Sequence, residues 1–225
     1  MLCGIIDSGD DRMKKVALLS ILIFSILALS VFANGQIVAD KVLTGKTIVL
    51  DPGNGGSDPG AIGPTGLLEK NINLIVALDL AQLLKIQGAN VILTRSTDIY
   101  VPLRQRIEIA NQATADLFIS IAHNSIQGAP NVDRPQVFYW STSDSSKFAA
   151  GIFLKAFERF FGTNGDLIKE EFTVLRYAQV PAILVEPCFM SNPTREQWLK
   201  SSKNLWREAV IYDMAILEYF ETLGS

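Results

Sequence analysis

Short apolar runs rich in β-branched and aromatic residues alternate along this chain with longer stretches of helical periodicity, and that alternation narrows the folds open to it more than any other feature. The runs are 47-TIVLD-51, 90-NVILT-94, 116-DLFISI-121, 136-QVFYW-140 and 182-AILVE-186, each of strand length and strand composition. Between them Ile72, Ile75, Val76, Leu80, Leu83 and Leu84 recur at three- and four-residue steps, which predicts a helix ended by Gly88. Further helices are expected over 102–113, with Pro102 in the first turn, over about 145–161, and over about 203–222 after a turn at 191-SNPT-194. Strands that alternate with helices predict an α/β fold: a single-domain, three-layer sandwich whose twisted, mainly parallel sheet is flanked by helices on both faces. In such sheets sites form at the carboxyl ends of strands. No internal repeat or low-complexity linker marks a second module.

The first 33 residues read as a targeting segment. In 13-MKKVALLSILIFSILALSVFANGQ-36 a basic start leads into an apolar run and a small-residue exit at Val31–Ala33, so cleavage is expected after Ala33 and translation from Met13. Residues 1–12 carry Asp7, Asp10 and Asp11, which do not suit a basic leader. The alternative is a retained anchor, because Val16–Ala33 as a helix would span ~27 Å. On either reading residues 34–225 form the folded domain and lie outside the cytoplasm, in the periplasm or cell envelope. Residues 1–33 contain equal numbers of acids and bases, so the domain keeps the formal charge of −3, too acidic a balance for nucleic acid. Cys188 is the only cysteine after Ala33, which leaves the domain no intrachain disulfide.

Four residues stand where chemistry is expected. Asn54 lies in 51-DPGNGGSDPG-60, where Gly53, Gly55, Gly56 and Gly60 allow close backbone approach to a ligand. Glu69, in 66-GLLEK-70, can be a site carboxylate or a plain first-turn acid favoured by the helix dipole. His123, in 120-SIAHNS-125, is the only histidine of the chain. Glu186 ends an apolar strand, where a carboxylate needs a function or a partner such as Arg95 or Arg176.

The stretches 47-TIVLDPGNGGSDPGAIGPTGLLEKNINL-74, 91-VILTRSTDIYVPLRQRIEIANQATADLFISIAHNS-125 and 181-PAILVEPCFMSNP-193 resemble the zinc-dependent N-acetylmuramoyl-L-alanine amidases, in order along the chain. The resemblance implies a peptidoglycan hydrolase that cuts the amide between the muramic acid lactyl group and L-alanine. It implies Glu186 as the catalytic glutamate, Glu69 as a zinc ligand, and Asn124 and Arg95 as substrate-binding positions. The other two zinc positions differ. Asn54 stands where the family has histidine, and the family's Ser-Ile-His-Ala-Asn reads Ser-Ile-Ala-His-Asn here, so His123 is one residue late. Zinc prefers imidazole, thiolate and carboxylate, whereas Asn54 offers a neutral carbonyl oxygen. Side chains on a strand alternate faces, so His123 should point away from where position 122 points unless a bulge turns it back. Cys188, two residues beyond Glu186, and Asp58, as part of an oxygen-rich calcium or magnesium site, are the remaining candidate ligands. Arg104 and the loop glycines keep the family pattern. Two functions are therefore expected to compete: an exported peptidoglycan amidase with an impaired or altered metal site, and a metal-free relative that binds peptidoglycan or a cell-wall partner through the same groove.

Overall fold

The computed structural model describes residues 41–140 and 144–224. The apolar segment Val16–Ala33, and with it the expected start at Met13 and cleavage after Ala33, lies outside the described residues. Among those described, no helix is long and apolar enough to cross a membrane.

Every predicted strand forms: β1 (Thr47–Pro52), β2 (Asn90–Leu93), β3 (Leu117–Ile121), β4 (Gln136–Tyr139) and β6 (Ala182–Glu186). One more, β5 (Asp166–Lys169), lies at the sheet edge. It escapes a search for apolar runs because only Leu167 and Ile168 are apolar within it. The order across the sheet is β2-β1-β3-β6-β4-β5, and all neighbours are parallel except β4 and β6.

The helices are α1 (Glu69–Ile86), α2 (Leu103–Gln112), α3 (Asp144–Phe161), α4 (Thr173–Arg176), α5 (Pro193–Leu199) and α6 (Ser202–Gly224). The turn expected at 191–194 forms over 190–192 and runs directly into α5, a helix the sequence did not announce. Asn192 caps it by accepting the Arg195 N–H at 3.0 Å, and Pro193 occupies the first turn, where a missing N–H costs nothing.

Strand parity sorts the core into two layers. Ile48, Leu50, Ile119, Ile121, Ile183 and Val185 face α1, α3 and α6. Val49, Phe118, Phe138 and Leu184 face the opposite side, where α2 and α4 pack. Both layers reach the carboxyl ends of β1, β3 and β6, so whatever lies there is held from two sides.

Candidate functional site

The carboxyl ends of β1, β3 and β6 open onto a cleft of about 480 Å³. Asp51, Ser120, Ala122 and Glu186 line it from the sheet, Asn54 and Glu69 from the glycine loop and α1, and Leu103, Arg106 and Phe172 from the side of α2 and α4. Asn54, Glu69, His123, Asn124 and Glu186, far apart in sequence, all border this one space.

Two arginines hold the glycine loop by its carbonyls. Arg106 donates to the carbonyls of Pro52 (2.8 Å), Asn54 (2.7 Å) and Val101 (2.8 Å) and pairs with Asp51 at 2.9 Å. Asp51 also accepts from Thr94 and Ser120, so this fully buried carboxylate is completely partnered, as burial requires. Arg95, expected to contact substrate, is instead 2% exposed and does not line the cleft. Its guanidinium donates to the carbonyls of Pro52, Gly53, Lys70 and Thr97 and is consumed by the backbone. At Gly55 (φ +123) a Cβ would lie 2.3 Å from the Ile99 carbonyl, so only glycine fits. Asn54 also adopts a left-handed backbone, φ 59, a conformation that asparagine and histidine tolerate better than most. Its amide donates to Asp58 at 3.0 Å.

Glu69 opens α1, but it does more than favour the helix dipole. It accepts the Ala61 N–H (2.8 Å), the Asn73 side-chain amide (3.1 Å) and the His123 N–H (3.0 Å). His123 follows strand parity and no bulge returns it. Ile121 belongs to the layer of α1 and α6, Ala122 to that of α2 and α4, and the His123 ring lies on the side of Ile121. There Nδ1 is 2.8 Å from Asn73 Oδ1 and Nε2 is 3.2 Å from Oε1 of Glu208. Glu208 Oε2 is the better aligned acceptor at 3.4 Å, and Oε1, though nearer, has no hydrogen bond. Burial alone would favour a neutral ring, but the charge and hydrogen bond of Glu208, with Glu69 and Glu186 beyond, hold the imidazole above its ordinary range.

Glu186 continues the parity of Leu184 and so points to the α2 side, opposite the ring of His123. Neither arginine proposed as its partner reaches it: Arg95 is bound to carbonyls and Arg176 pairs with Glu171 at 2.7 Å. Burial and the charge of Glu69, partly offset by His123, raise its carboxyl from 4.5 to about 7. Asn124 borders the cleft with its amide turned to Gln136 (2.6 Å) and the Ser125 N–H (2.7 Å). Cys188 is fully buried in the core between the sheet and α6, and burial pushes its thiol well above the ordinary range. It is a packing residue and not a ligand.

The residues match the family model for N-acetylmuramoyl-L-alanine amidase over 48–215. The chain belongs to the N-acetylmuramoyl-L-alanine amidase family. It is 39% identical over 166 residues to the probable cell wall amidase LytH of Staphylococcus epidermidis, covering 73% of this chain. The match spans 55% of LytH, so the chain corresponds to about half the length of that relative. Among solved structures it is similar to the catalytic domain of the amidase CwlV from Bacillus (Paenibacillus) polymyxa, with 33% identity, a TM-score of 0.73, and 78% and 98% of the two chains covered. It is similar also to the amidase AmiC2 of Nostoc punctiforme, with 34% identity, a TM-score of 0.72, and 79% and 99% covered.

Within this amidase fold the donor set does not fit zinc. The imidazole faces the wrong layer, position 122 carries a methyl group, and Asn54 presents an amide already bonded to Asp58 and Asn73. The oxygens of Glu69 receive three N–H groups. Asp58, the candidate for an oxygen-rich site, accepts from Asn54 and the Gly60 N–H. Among the described residues no three His, Cys, Asp or Glu side chains converge closely enough to hold an ion. The sequence reading missed Asn73, Arg106 and Glu208. Their signal was present: each is a polar residue on a helix face otherwise made of Ile72, Val76 and Leu80, of Ile107 and Ala110, or of Leu205, Ala209 and Tyr212.

Proposed function

We propose that this chain is an envelope protein of the amidase family that binds peptidoglycan in its cleft, at the muramoyl–peptide junction, with little or no zinc-dependent hydrolysis. The observation that carries this reading is the placement of the His123 ring against Asn73 and Glu208, which occupy both of its nitrogens. An amidase of this family needs an ion that polarises the amide carbonyl and activates water, with an open coordination position, and the side chains bordering the cleft supply too few strong donors. What the cleft retains suits recognition. Glu186, whose carboxyl is raised to about 7 by burial and the charge of Glu69, can donate to an amide carbonyl when protonated or accept from an amide N–H when ionised. Leu103 and Phe172 add apolar wall on one side, the usual makeup of a ligand cleft. Export through the segment before residue 34 would deliver the domain to that polymer.

The test uses purified protein and isolated peptidoglycan sacculi, with and without added zinc. Co-sedimentation without release of stem peptides is the expected result. One zinc per chain in the purified protein, together with zinc-dependent release of stems, would overturn the reading in favour of a working amidase.

A further inference from the structure

Glu69, the glycine loop and the end of β3 supply the zinc positions in this family's pattern, and in this chain the same three segments are joined by hydrogen bonds. Asn73 is fully buried on α1. Its Nδ2 faces Glu69 Oε1 (3.1 Å), the Gly53 carbonyl (3.3 Å) and Asn54 Oδ1 (3.4 Å). Those acceptors fix which way the amide points, so Oδ1 must be the atom 2.8 Å from His123 Nδ1, and that nitrogen must carry a proton. The opposite edge of the ring meets Glu208 from α6. The His123 N–H closes the circuit by donating to Glu69 Oε1 at 3.0 Å.

We propose that Glu208, His123 and Asn73 form a metal-independent clamp that fixes Glu69 and the glycine loop, so that the cleft is fully formed without an ion. Glu208 and His123 are positioning residues in this account. A buried ion pair is weak evidence of added stability, since well-packed apolar residues of similar volume are often as good. The pair nevertheless stands in an interface otherwise filled by Leu205, Ala209 and Tyr212, and both edges of the ring are matched to partners leading to the cleft. In a low dielectric such a network restricts geometry, and each of the three side chains is bonded to the next, Glu208 through Oε2 while its Oε1 has no hydrogen bond. The clamp concerns how the cleft is formed, and it stands or falls independently of what the cleft binds.

The test is amide hydrogen exchange by NMR on the natural chain, with and without EDTA, and on Glu208→Met, Glu208→Gln, Asn73→Ala and Ile216→Ala. Ile216 is fully buried on α6 but outside the network, so its truncation controls for general loss of stability. EDTA and added zinc are expected to leave the melting temperature of the natural chain unchanged. Glu208→Met and Asn73→Ala should lower protection at the His123 and Gly53 amides by about tenfold more than at Val49, as a local opening does. Glu208→Gln, which keeps an acceptor for Nε2, should stay within about twofold of the natural chain. Ile216→Ala should lower protection evenly. If Glu208→Met does not fold, Asn73→Ala cuts the same chain of bonds from the other end and must give the same pattern. The proposal is overturned if zinc raises the melting temperature, or if both network variants lose protection as evenly as Ile216→Ala does.

Discussion

Exchanging residues 122 and 123, by Ala122→His with His123→Ala, moves the imidazole of this chain to position 122, on the layer of α2 and α4. The structure sets its cost. Glu208 is 0% exposed, and the charge opposite it among the described residues is His123 at 3.2 Å. Removing one member of such a pair leaves a buried carboxylate uncompensated, which costs about 3–5 kcal/mol. In a domain of this size 1 kcal/mol moves the melting temperature by roughly 2–4 °C, so a fall of roughly 6–20 °C is expected. Adding Glu208→Met removes the orphaned charge with a side chain of similar volume and should recover most of that fall. Asn54→His then supplies a second imidazole at a left-handed position that histidine tolerates. Calorimetry would follow stability, and metal analysis with stem-peptide release would follow function. The natural chain and the simple exchange should hold little zinc, whereas the four-substitution variant should hold about one ion and cleave. If the simple exchange melts within about 2 °C of the natural chain, less than 1 kcal/mol is at stake and the reasoning about Glu208 is refuted.

Three other outcomes are expected. The Glu186 carboxyl binds its proton more tightly folded than unfolded, so stability is lost as pH rises from 4.5 through about 7; His123, raised above its ordinary value, acts in the same direction. At about 1.4 kcal/mol per pH unit, Glu186→Gln should therefore gain up to roughly 3 kcal/mol over the natural chain at pH 8 and nothing at pH 4, which urea titrations at the two pH values would show. Arg106→Ala leaves Asp51 buried without its cation and removes a donor from the carbonyls of Pro52, Asn54 and Val101, so a loss of about 3–5 kcal/mol is expected in the same assay. N-terminal sequencing of envelope protein should begin near Asn34; a mature chain retaining Asp7 would contradict the targeting reading.

The parallel sheet and its main helices were legible because each strand is a continuous apolar run and each long helix carries a stripe. β5 was not, since four residues with two apolar side chains are too short to show a period. The swap at 122 and 123 was legible in its consequence, because alternation along β3 persists past Ile121 and carries the ring to the far layer. What the ring would meet there was not legible. Glu208 lies 85 positions away, and only the packing of α6 on α1 and the sheet brings it to His123. Arg95 misled for a related reason: a residue just past a strand end faces either the cleft or the back of the loop, and four carbonyls behind the loop claim it.

Cys188 gives the domain a built-in reporter. It is the only cysteine after residue 33, it has no exposed surface, and its thiol is held well above the range in which thiolates form readily. On the domain from residue 34 onward, which lacks Cys3, a thiol-reactive dye should therefore pass over the native state and label the protein only when the core opens. When reclosing is fast compared with labelling, the labelling rate reports the free energy of opening. The same measurement can be made while the protein is bound to sacculi, where calorimetry and spectroscopy fail, so occupancy of the cleft would register as slower modification of a sulfur atom that never touches the ligand.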